Sequence, residues 1–393
     1  MSLKRFKPLG WLQNVLRPTK DESSGNGEGE ATAEATEPPR PLEATHASWA
    51  KLPYVVLVRV LSLLPDKNIW VASQVCKDWR NAARDPSLWR VGYFMIGPNS
   101  LNSVTRLVQF AGVHGKHVKV MKITWGTFTS KLLKRTVHSL FAAIEPTRLK
   151  VFDLEEVDWK RFGIKVRTEI LDGLKKVLSV QDSLEELSMR RIRLEVQAGA
   201  ELLQIVTDKL TNLDIVDYFD DKGAVSFAPE FGTALSKFVN LKILALNYCY
   251  LSGQILEHFA TIFGERPVNL QIFTNEEEPN VRVTSEMWNT LKLACPKTQV
   301  TLSVPSNAML VEDFENILSP AMPLFRLDMF LGTNPQREDE MLQLLVLRFP
   351  QLQHLDLELT NNGPSAQLEN DVVQIVKNFI NLNLTINGIK VIS

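Results

Sequence analysis

One short apolar pattern recurs along most of this chain and constrains its fold more than any other feature. Each clear copy places apolar residues at a first position and again three and five positions later, as in Leu149-x-x-Phe152-x-Leu154. Four further clear copies begin at Leu184, Leu210, Leu241 and Leu352. Weaker copies begin at Val118, Leu270, Lys297, Leu324 and Phe379. Successive starts are 26 to 35 residues apart, which predicts a strand-containing unit repeated about ten times.

Helix-like apolar segments lie between these copies. They are found at Ile170–Val180, Ala198–Lys209, Ile255–Phe263, Glu340–Phe349 and Val372–Phe379. A strand and a helix in every ~29 residues form the leucine-rich-repeat pattern, in which each unit buries its apolar face by stacking on its neighbours. We therefore expect an α/β fold with an irregular leucine-rich-repeat solenoid over residues 101–393. The asparagine that usually follows the strand is mostly absent, although Asn247 lies near that place in one copy.

A chance alternation of leucines in a helical protein is the competing interpretation of the pattern. It does not explain a period that persists through all the copies, so we favour the repeats.

A separate helical pattern precedes the repeats. Leu57, Val60, Leu61 and Leu64 follow Leu52-Pro53 with the spacing of one helix face. Pro65 ends that helix, and Asp66 is the predicted N-cap of a second one. The second helix carries apolar residues at the same spacing: Ala72, Val75, Cys76 and Trp79. Asp85 and Pro86 then mark the start of a third helix, which carries Leu88 and Trp89.

Three short helices bury too little of their own surface to be comfortably stable alone. Nevertheless, large apolar residues also lie off the main stripe of the first two helices: Val55, Val56, Val58, Ile69 and Val71. This surplus predicts either packing on the next domain or binding of a partner.

The stretch LPYVVLVRVLSLLPDKNIWVASQVCKDWRNAARDPSLWR resembles the F-box. Its Leu-Pro start, its Val-Cys-x-x-Trp and its final Leu-Trp occur in the order of that family's pattern. The resemblance implies a module over residues 47–95 that docks on the adaptor Skp1, which links it to a cullin–RING ubiquitin ligase. Candidate Skp1 contacts are Leu52, Pro53, Leu57, Val60, Leu64, Val75, Cys76 and Trp79. For Leu57, Val60 and Leu64, a place only in the module's own core is the alternative.

Two conspicuous residues of the module have structural interpretations. We interpret Cys76 as a small apolar residue and not as a nucleophile or metal ligand. Trp89 is expected to fix the module to the next domain rather than to contact the adaptor.

The combination of this module with the repeats resembles F-box proteins with C-terminal leucine-rich repeats. The resemblance implies the substrate-recognition subunit of a Skp1–cullin–F-box (SCF) E3 ubiquitin ligase, whose repeats bind a protein for ubiquitination and usually proteasomal degradation. Such a chain is not itself an enzyme, and we expect no cofactor and no metal. The alternative is a Skp1-binding repeat protein that acts as a scaffold without ligase function.

Residues that alternate with the apolar strand positions are predicted to point onto the concave surface of the solenoid. These positions are Lys122, Thr124, Asp153, Glu155, Ser188, Arg190, Asp214, Val216, Ala245, Asn247, Thr274, Glu276, Thr301, Ser303, Asp328, Phe330, Asp356, Glu358, Asn383 and Thr385. Seven are acidic and two are basic, which favours a basic recognition segment in the substrate. Candidate substrate contacts are Asp153, Glu155, Asp214, Asp328, Phe330, Asp356 and Glu358. An ordinary solvated strand face is the alternative.

The segment Asp217-Tyr218-Phe219-Asp220-Asp221 is a second candidate for substrate binding. Two adjacent aromatic residues between acids, where a loop leaves the strand, are typical of a binding hot spot. The alternative is that one ring belongs to the core and the other covers it. Tyr218 and Phe219 are therefore included among the candidate substrate contacts.

Residues 1–46 are predicted to be a disordered arm, basic over 1–20 and acidic over the linker 21–43. The apolar spacing in 1–20 leaves a presequence or an interfacial anchor open. The formal net charge of −1 gives no drive toward nucleic acid. The sequence contains no run of ~20 apolar residues, so we predict no transmembrane segment. Three widely spaced cysteines favour a reducing compartment, so we expect the cytoplasm or nucleus and not secretion.

Overall fold

The structure is a computed structural model of the 393-residue chain. It describes residues 52–96, 101–126, 138–157, 163–274, 283–304, 310–331, 335–359, 382–386 and 389–391. The predicted arm at 1–46 and the helical segment at 372–379 lie outside these residues. The chain divides after Leu52 into two units, and every element below belongs to the second, Pro53–Ser393.

Residues 53–90, here called the N-terminal module, contain three short α-helices and a 3-10 helix. The elements are α1 (Tyr54–Leu61), α2 (Asp66–Ala72), α3 (Lys77–Ala82) and the 3-10 helix Pro86–Trp89. The buried apolar residues of the module are Leu57, Leu61, Ile69, Ala72, Ala82, Ala83 and Trp89. These few residues form the small core of the module, as expected for three short helices.

The predicted second helix is two helices in the structure. α2 ends at Ala72, and the chain is extended at Cys76 before α3 begins. The hydroxyl of Ser73 donates to the Trp70 carbonyl at 2.7 Å, a local hydrogen bond that competes with continuation of the helix. The N-cap of α2 is Pro65, one residue earlier than predicted.

The predicted helix start at Asp85 is confirmed. The Asp85 carboxylate accepts hydrogen bonds from the Ser87 backbone N–H at 2.8 Å and from the Ser87 hydroxyl at 2.6 Å. It also accepts from the Tyr54 hydroxyl at 2.7 Å. One carboxylate therefore caps the 3-10 helix and ties it to the start of α1.

In the described part of the chain, twelve strands follow in one sheet, and strands adjacent in sequence are adjacent in space. The strands are β1 (Val91–Ile96), β2 (Val120–Trp125), β3 (Val151–Glu155), β4 (Glu186–Ser188), β5 (Asn212–Asp214), β6 (Ile243–Asn247), β7 (Asn269–Phe273), β8 (Gln299–Val304), β9 (Leu324–Leu331), β10 (His354–Leu359), β11 (Asn383–Ile386) and β12 (Ile389–Val391). Successive strands from β1 to β11 pair in parallel, and β12 pairs with β11 antiparallel.

A helix lies in each connection from β1 to β10, as parallel neighbours require a crossover. The helices are α4 (Leu101–His114), α5 (138–144), α6 (Ile164–Ser179), α7 (Val196–Ile205), α8 (Lys222–Val225), α9 (Pro229–Leu235), α10 (Gly253–Phe263), α11 (Ser285–Ala294), α12 (Val311–Ile317) and α13 (Pro335–Arg348). Two further 3-10 helices span Gly115–His117 and Tyr248–Tyr250. The N-terminal helices are thus followed by a strand/helix repeat-like series, in agreement with the predicted α/β class.

The core of this series is one cluster of buried side chains that runs from Ile96 to Leu384. All three apolar positions in each of the five clear repeat copies are at most 2% exposed. In each of these copies the strand begins two residues after the first apolar position, for example at Val151 after Leu149. The apolar pattern therefore identified these strands and their buried face correctly.

The predicted register is wrong at β7. Leu270, Ile272 and Thr274 are buried, whereas Phe273 is half-exposed. The copy was placed three residues too late, and because side chains alternate along a strand, this odd shift exchanged the two faces. Thr274, a predicted concave residue, is a core residue at 0% exposure.

β1 was not predicted, and it joins the N-terminal module directly to the sheet. Trp89, immediately before it, is 2% exposed and donates from its indole nitrogen to the Ala83 carbonyl at 2.8 Å. Its ring contacts His114 and Phe110 of α4, with centroids 4.5 and 5.9 Å away. The prediction that Trp89 fixes the module to the following domain is confirmed.

Cations from neighbouring repeats bind the ends of several helices. Lys237 donates to the carbonyls of Gln204 and Val206, where α7 ends. Arg348 donates to the carbonyls of Glu315 and Leu318 at 2.6 and 2.8 Å, where α12 ends. The last carbonyls of a helix lack intrahelical donors and carry partial negative charge. These cations therefore satisfy them and join one repeat to the next.

Candidate functional surfaces

The N-terminal module displays much more apolar surface than its size requires. Its exposed large apolar residues, with their exposed fractions, are Tyr54 (49%), Val55 (76%), Val56 (42%), Leu63 (74%), Trp70 (55%), Val71 (64%) and Val75 (65%). Several exposed large apolar residues in one small module are typical of a surface that binds another protein. Tyr54, Leu63 and Trp70 are additions to the sequence-based set, whereas Ile69 of that set is only 2% exposed.

The predicted Skp1 contacts differ in how accessible they are. Pro53 and Val75 are exposed. Partly exposed are Leu52, Val60, Leu64, Cys76 and Trp79. Leu57 is 1% exposed and belongs to the core of the module, so as a direct adaptor contact it is a wrong candidate. The inner face of a short amphipathic helix packs against its own module and is therefore not accessible to a partner.

Among the described residues, no group of three or more His, Cys, Asp or Glu side chains is placed to hold a metal ion. Cys76 is a free, half-buried cysteine at the start of α3. Within the same residues, no helix has the length and apolarity to cross a membrane.

A second surface is the face of the sheet opposite the buried core, here called the open face. It is formed from β2 to β11 by Val120, Lys122, Thr124, Val151, Asp153, Glu155, Glu186, Ser188, Arg190, Asn212, Asp214, Ile243, Ala245, Asn247, Asn269, Gln271, Phe273, Gln299, Thr301, Ser303, Arg326, Asp328, Phe330, His354, Asp356, Glu358, Asn383 and Thr385. Strand pairing aligns these residues in rows, such as Lys122 beside Asp153 and Asp328 beside Asp356.

The predicted substrate contacts Asp153, Glu155, Asp214, Asp328, Phe330, Asp356 and Glu358 all lie on the open face. Five other predicted concave residues are buried and are not available to a partner: Val216, Ala245, Asn247, Thr274 and Thr301. Glu276 lies outside the described residues.

Ion pairs link most charges of the open face. Lys122 Nζ lies 3.1 Å from Asp153 Oδ2, and Arg190 Nε lies 2.5 Å from Asp214 Oδ2. Arg326 Nε lies 2.7 Å from Asp328 Oδ1, and its Nη2 contacts Asp356. Arg190 also lies over the ring of Phe273, 4.8 Å from its centroid.

Arg326 and Glu186 were missed by the sequence analysis. They occupy the first open-face position of their strands, two residues before the positions that were considered. The alternation of the strand extends to that position, so the signal was present in the sequence. Arg326 makes the face less acidic than predicted.

Partial burial raises the pKa of several carboxylates of this face. Burial raises the pKa of Glu155, and the neighbouring Asp153 adds to that effect while Arg190 opposes it. Burial likewise raises the pKa of Asp214 and of Asp328, against the lowering effect of their arginine partners. Carboxylates in such surroundings gain more from a nearby cation than fully solvated ones do.

Tyr218 and Phe219 are wrong as substrate contacts, because both are completely buried. The Tyr218 hydroxyl donates to the Gly199 carbonyl at 3.0 Å. The Phe219 ring packs edge-on against Phe231 and Tyr250, with centroids 5.2 and 5.4 Å away. Both rings in the loop after β5 are therefore buried by apolar packing, although acidic residues flank them in the sequence.

The structure thus places an apolar helical module in front of a strand/helix repeat-like series. Residues 49–95 match the family model described as F-box-like. The match spans the N-terminal module and most of β1 and supports an F-box protein. An F-box-like domain suggests in general an adaptor role in SCF ubiquitin ligases and implies binding to Skp1.

Proposed function

We propose that this chain is the substrate-recognition subunit of an SCF E3 ubiquitin ligase. The observation that carries the proposal is the F-box-like match over residues 49–95. The exposed apolar side chains of the N-terminal module support it, because they offer an adaptor a large area to bury. Within this proposal, the accessible contacts for Skp1 are Leu52, Pro53, Val60, Leu64, Val75, Cys76 and Trp79.

The repeat-like series is, in the same proposal, a leucine-rich-repeat solenoid whose open face binds the target protein. The stretches LTNLDIVDYFDD and FVNLKILALNYCYLSGQILEHFA are similar to F-box only protein thirty-nine, and five clear repeat copies with buried cores support the assignment. The chain performs no chemistry itself. By holding the target near a recruited E2 enzyme in the cytoplasm or nucleus, it raises the effective concentration of the target's lysines and leads to ubiquitination and degradation.

A second candidate function is a Skp1-binding scaffold without ligase activity. The exposed apolar surface of the module supports it equally, since Skp1 binding alone would cover that surface. The two functions differ in whether a cullin is recruited.

The proposal is tested by co-purification of the full chain with Skp1 and cullin. Val75→Asp places a charge on a 65% exposed apolar position and should weaken Skp1 binding more than tenfold, because that charge would be buried without a partner. Leu293→Asp, on α11 at 85% exposure, is the matched control and should bind like the wild type. The double variant Leu52→Ala/Pro53→Ala tests the start of the module in the same way.

The outcomes separate the two functions. Skp1 and cullin bound by the wild type and lost together in Val75→Asp support the ligase subunit. Skp1 without cullin favours the scaffold. Unchanged Skp1 and cullin binding in both module variants would contradict the adaptor surface assigned to this module.

A further inference from the structure

Charge is distributed unevenly along the open face. Strands β2 to β5 and Arg190 contribute four carboxylates and two cations: Asp153, Glu155, Glu186 and Asp214 with Lys122 and Arg190. The open-face positions of β6 to β8 carry no charged residue within the described part of the chain. Strands β9 and β10 contribute three carboxylates and one cation: Asp328, Asp356 and Glu358 with Arg326. Two acidic ends thus flank a centre whose own strand residues are neutral and where Arg190 lies over Phe273.

Each cation of these two ends is already bound to a carboxylate of the face. Arg326 is shared by Asp328 and Asp356, so one positive charge serves two negative ones. Among the described residues, Glu155 and Glu358 make no ion pair at all. The charge that the face offers to a partner is therefore negative at both ends.

The carboxylates at the first end are partly desolvated. Among the described residues, the buried Oδ1 atom of Asp153 has no hydrogen-bond partner, while its Oδ2 atom binds Lys122. Two strand residues farther on, Glu155 lies on the same face, partly desolvated. A partner cation placed at Glu155 would compensate charge that the protein itself leaves unbalanced.

The spacing of the two ends defines the length of the partner segment. Glu155 on β3 and Asp356 on β10 are seven strands apart in the sheet order, or about 34 Å at the usual strand spacing. An extended chain covers that span in about ten residues. A compact basic cluster reaches only one end at a time.

We propose that the open face binds an extended segment of the target protein that carries two basic groups about ten residues apart, separated by neutral residues. This inference rests on the proposed role of the open face as the target-binding surface. One basic group binds at Glu155, the neutral middle crosses strands β6 to β8, and the other basic group binds at Asp356 and Glu358. An acidic or phosphorylated segment is disfavoured because Arg190 and Arg326 would first have to leave their carboxylates.

Fluorescence anisotropy with synthetic peptides tests the inference on the full chain. The first probe carries an arginine pair at each end, separated by glycine and serine so that the pairs are about ten residues apart. The second has the same composition with all its arginines adjacent, and the third has one arginine pair only. The first should bind at least about fivefold more tightly than the second and third, and its affinity should fall with added salt.

Glu155→Gln and Glu358→Gln should each weaken the first peptide about fivefold, and because they are far apart their effects should multiply in the double variant. Glu312→Gln, an exposed carboxylate on α12, is the matched control and should have no effect. Equal affinity for the first two peptides, or no loss in either open-face variant, would overturn the inference.

Skp1 binding, measured on the same samples, separates this inference from the proposed function. Skp1 binding without preference for the two-ended peptide refutes only the inference. Peptide preference without Skp1 binding supports the basic-segment site and counts against the ligase role.

Discussion

The imidazole ring of His114 stacks on the indole ring of Trp89, with ring centroids 4.5 Å apart and ring planes inclined by 19°. Trp89 ends the N-terminal module, and His114 ends α4 of the repeat-like series. Phe110 and Trp70 lie around the pair, at 5.4 and 6.5 Å from the His114 ring. This aromatic cluster fixes the position of the proposed adaptor surface relative to the first strands of the sheet.

The first prediction concerns the pH dependence of this cluster. His114 is 6% exposed and its Nε2 atom has no hydrogen-bond partner. Burial, with a contribution from His117, lowers the pKa of His114 below its ordinary value of 6.5. The unfolded chain then binds a proton at a higher pH than the folded chain, so stability falls as pH drops from about 6.5 toward the lowered pKa.

Urea unfolding at about pH 7.5 and about pH 5.5 measures this effect. His114→Phe keeps an aromatic ring but binds no proton, so it should lose less stability than the wild type between the two conditions. His138→Gln, at an exposed histidine, should behave like the wild type. An equal loss in His114→Phe and the wild type would show that His114 does not carry this dependence.

The second prediction concerns the carboxylate of Asp85. Asp85→Ala removes the cap of the 3-10 helix together with the hydrogen bond from Tyr54, and we expect a loss of about 1–2 kcal/mol in the free energy of unfolding. Tyr54→Phe removes only the hydroxyl and should cost about 0.5–1 kcal/mol. Chemical unfolding of both single variants and the double variant measures the coupling. A double variant whose loss equals the sum of the two would mean that the Tyr54–Asp85 bond contributes nothing.

The third prediction concerns the cation at the end of α7. Lys237→Met keeps an apolar stem but leaves the carbonyls of Gln204 and Val206 without this donor. Two carbonyls at a helix C-terminus then lose a charged partner, so we expect a loss of about 1–2 kcal/mol on thermal or chemical unfolding. Lys165→Met, at an exposed position in the first turn of α6, should change stability by less than about 0.5 kcal/mol. Similar losses in the two variants would exclude a specific capping role for Lys237.

The strand cores show what could be read from the sequence. Leu149, Phe152 and Leu154 were identified because a strand alternates with period two and one face is buried throughout the series. At β7 the same reasoning failed, since Leu270 and Phe273 are both apolar and the sequence offered two registers that differ in which face is buried. Local apolar spacing does not decide between them; pairing with β6 and β8 does.

The functional residues divide in a similar way. Asp153 and Asp356 were found because alternation alone places them on the open face. The burial of Leu57 and Phe219 depends on which other helices and loops pack against them, which is long-range information. For Arg326, the position on the strand could be predicted from the alternation of side chains. Its ion pairs with two carboxylates on neighbouring strands could not, because they depend on how the strands pair.

The last prediction concerns Asn247, which lies near the place of the usual repeat asparagine in one copy. It is fully buried, accepts a hydrogen bond from the Asp217 backbone N–H at 2.7 Å, and donates from Nδ2 to Asp217 Oδ1 at 3.3 Å. Asp217 has a left-handed backbone with φ of 52°, so Asn247 holds an unfavourable turn of the preceding repeat in place. Asn247→Ala should therefore cost about 1–3 kcal/mol, because a buried N–H loses its acceptor.

Asn247→Asp distinguishes loss of the acceptor from loss of the donor. The aspartate keeps an acceptor for the Asp217 N–H but places a second carboxylate beside the Asp217 side chain, so it should destabilise the protein at neutral pH and less so in acid. Asp217→Asn in the same chain should restore part of that loss, since an amide can donate to the new carboxylate. Chemical unfolding of the three variants measures these differences. Asn247→Ala with wild-type stability would show that Asn247 does not hold the Asp217 turn.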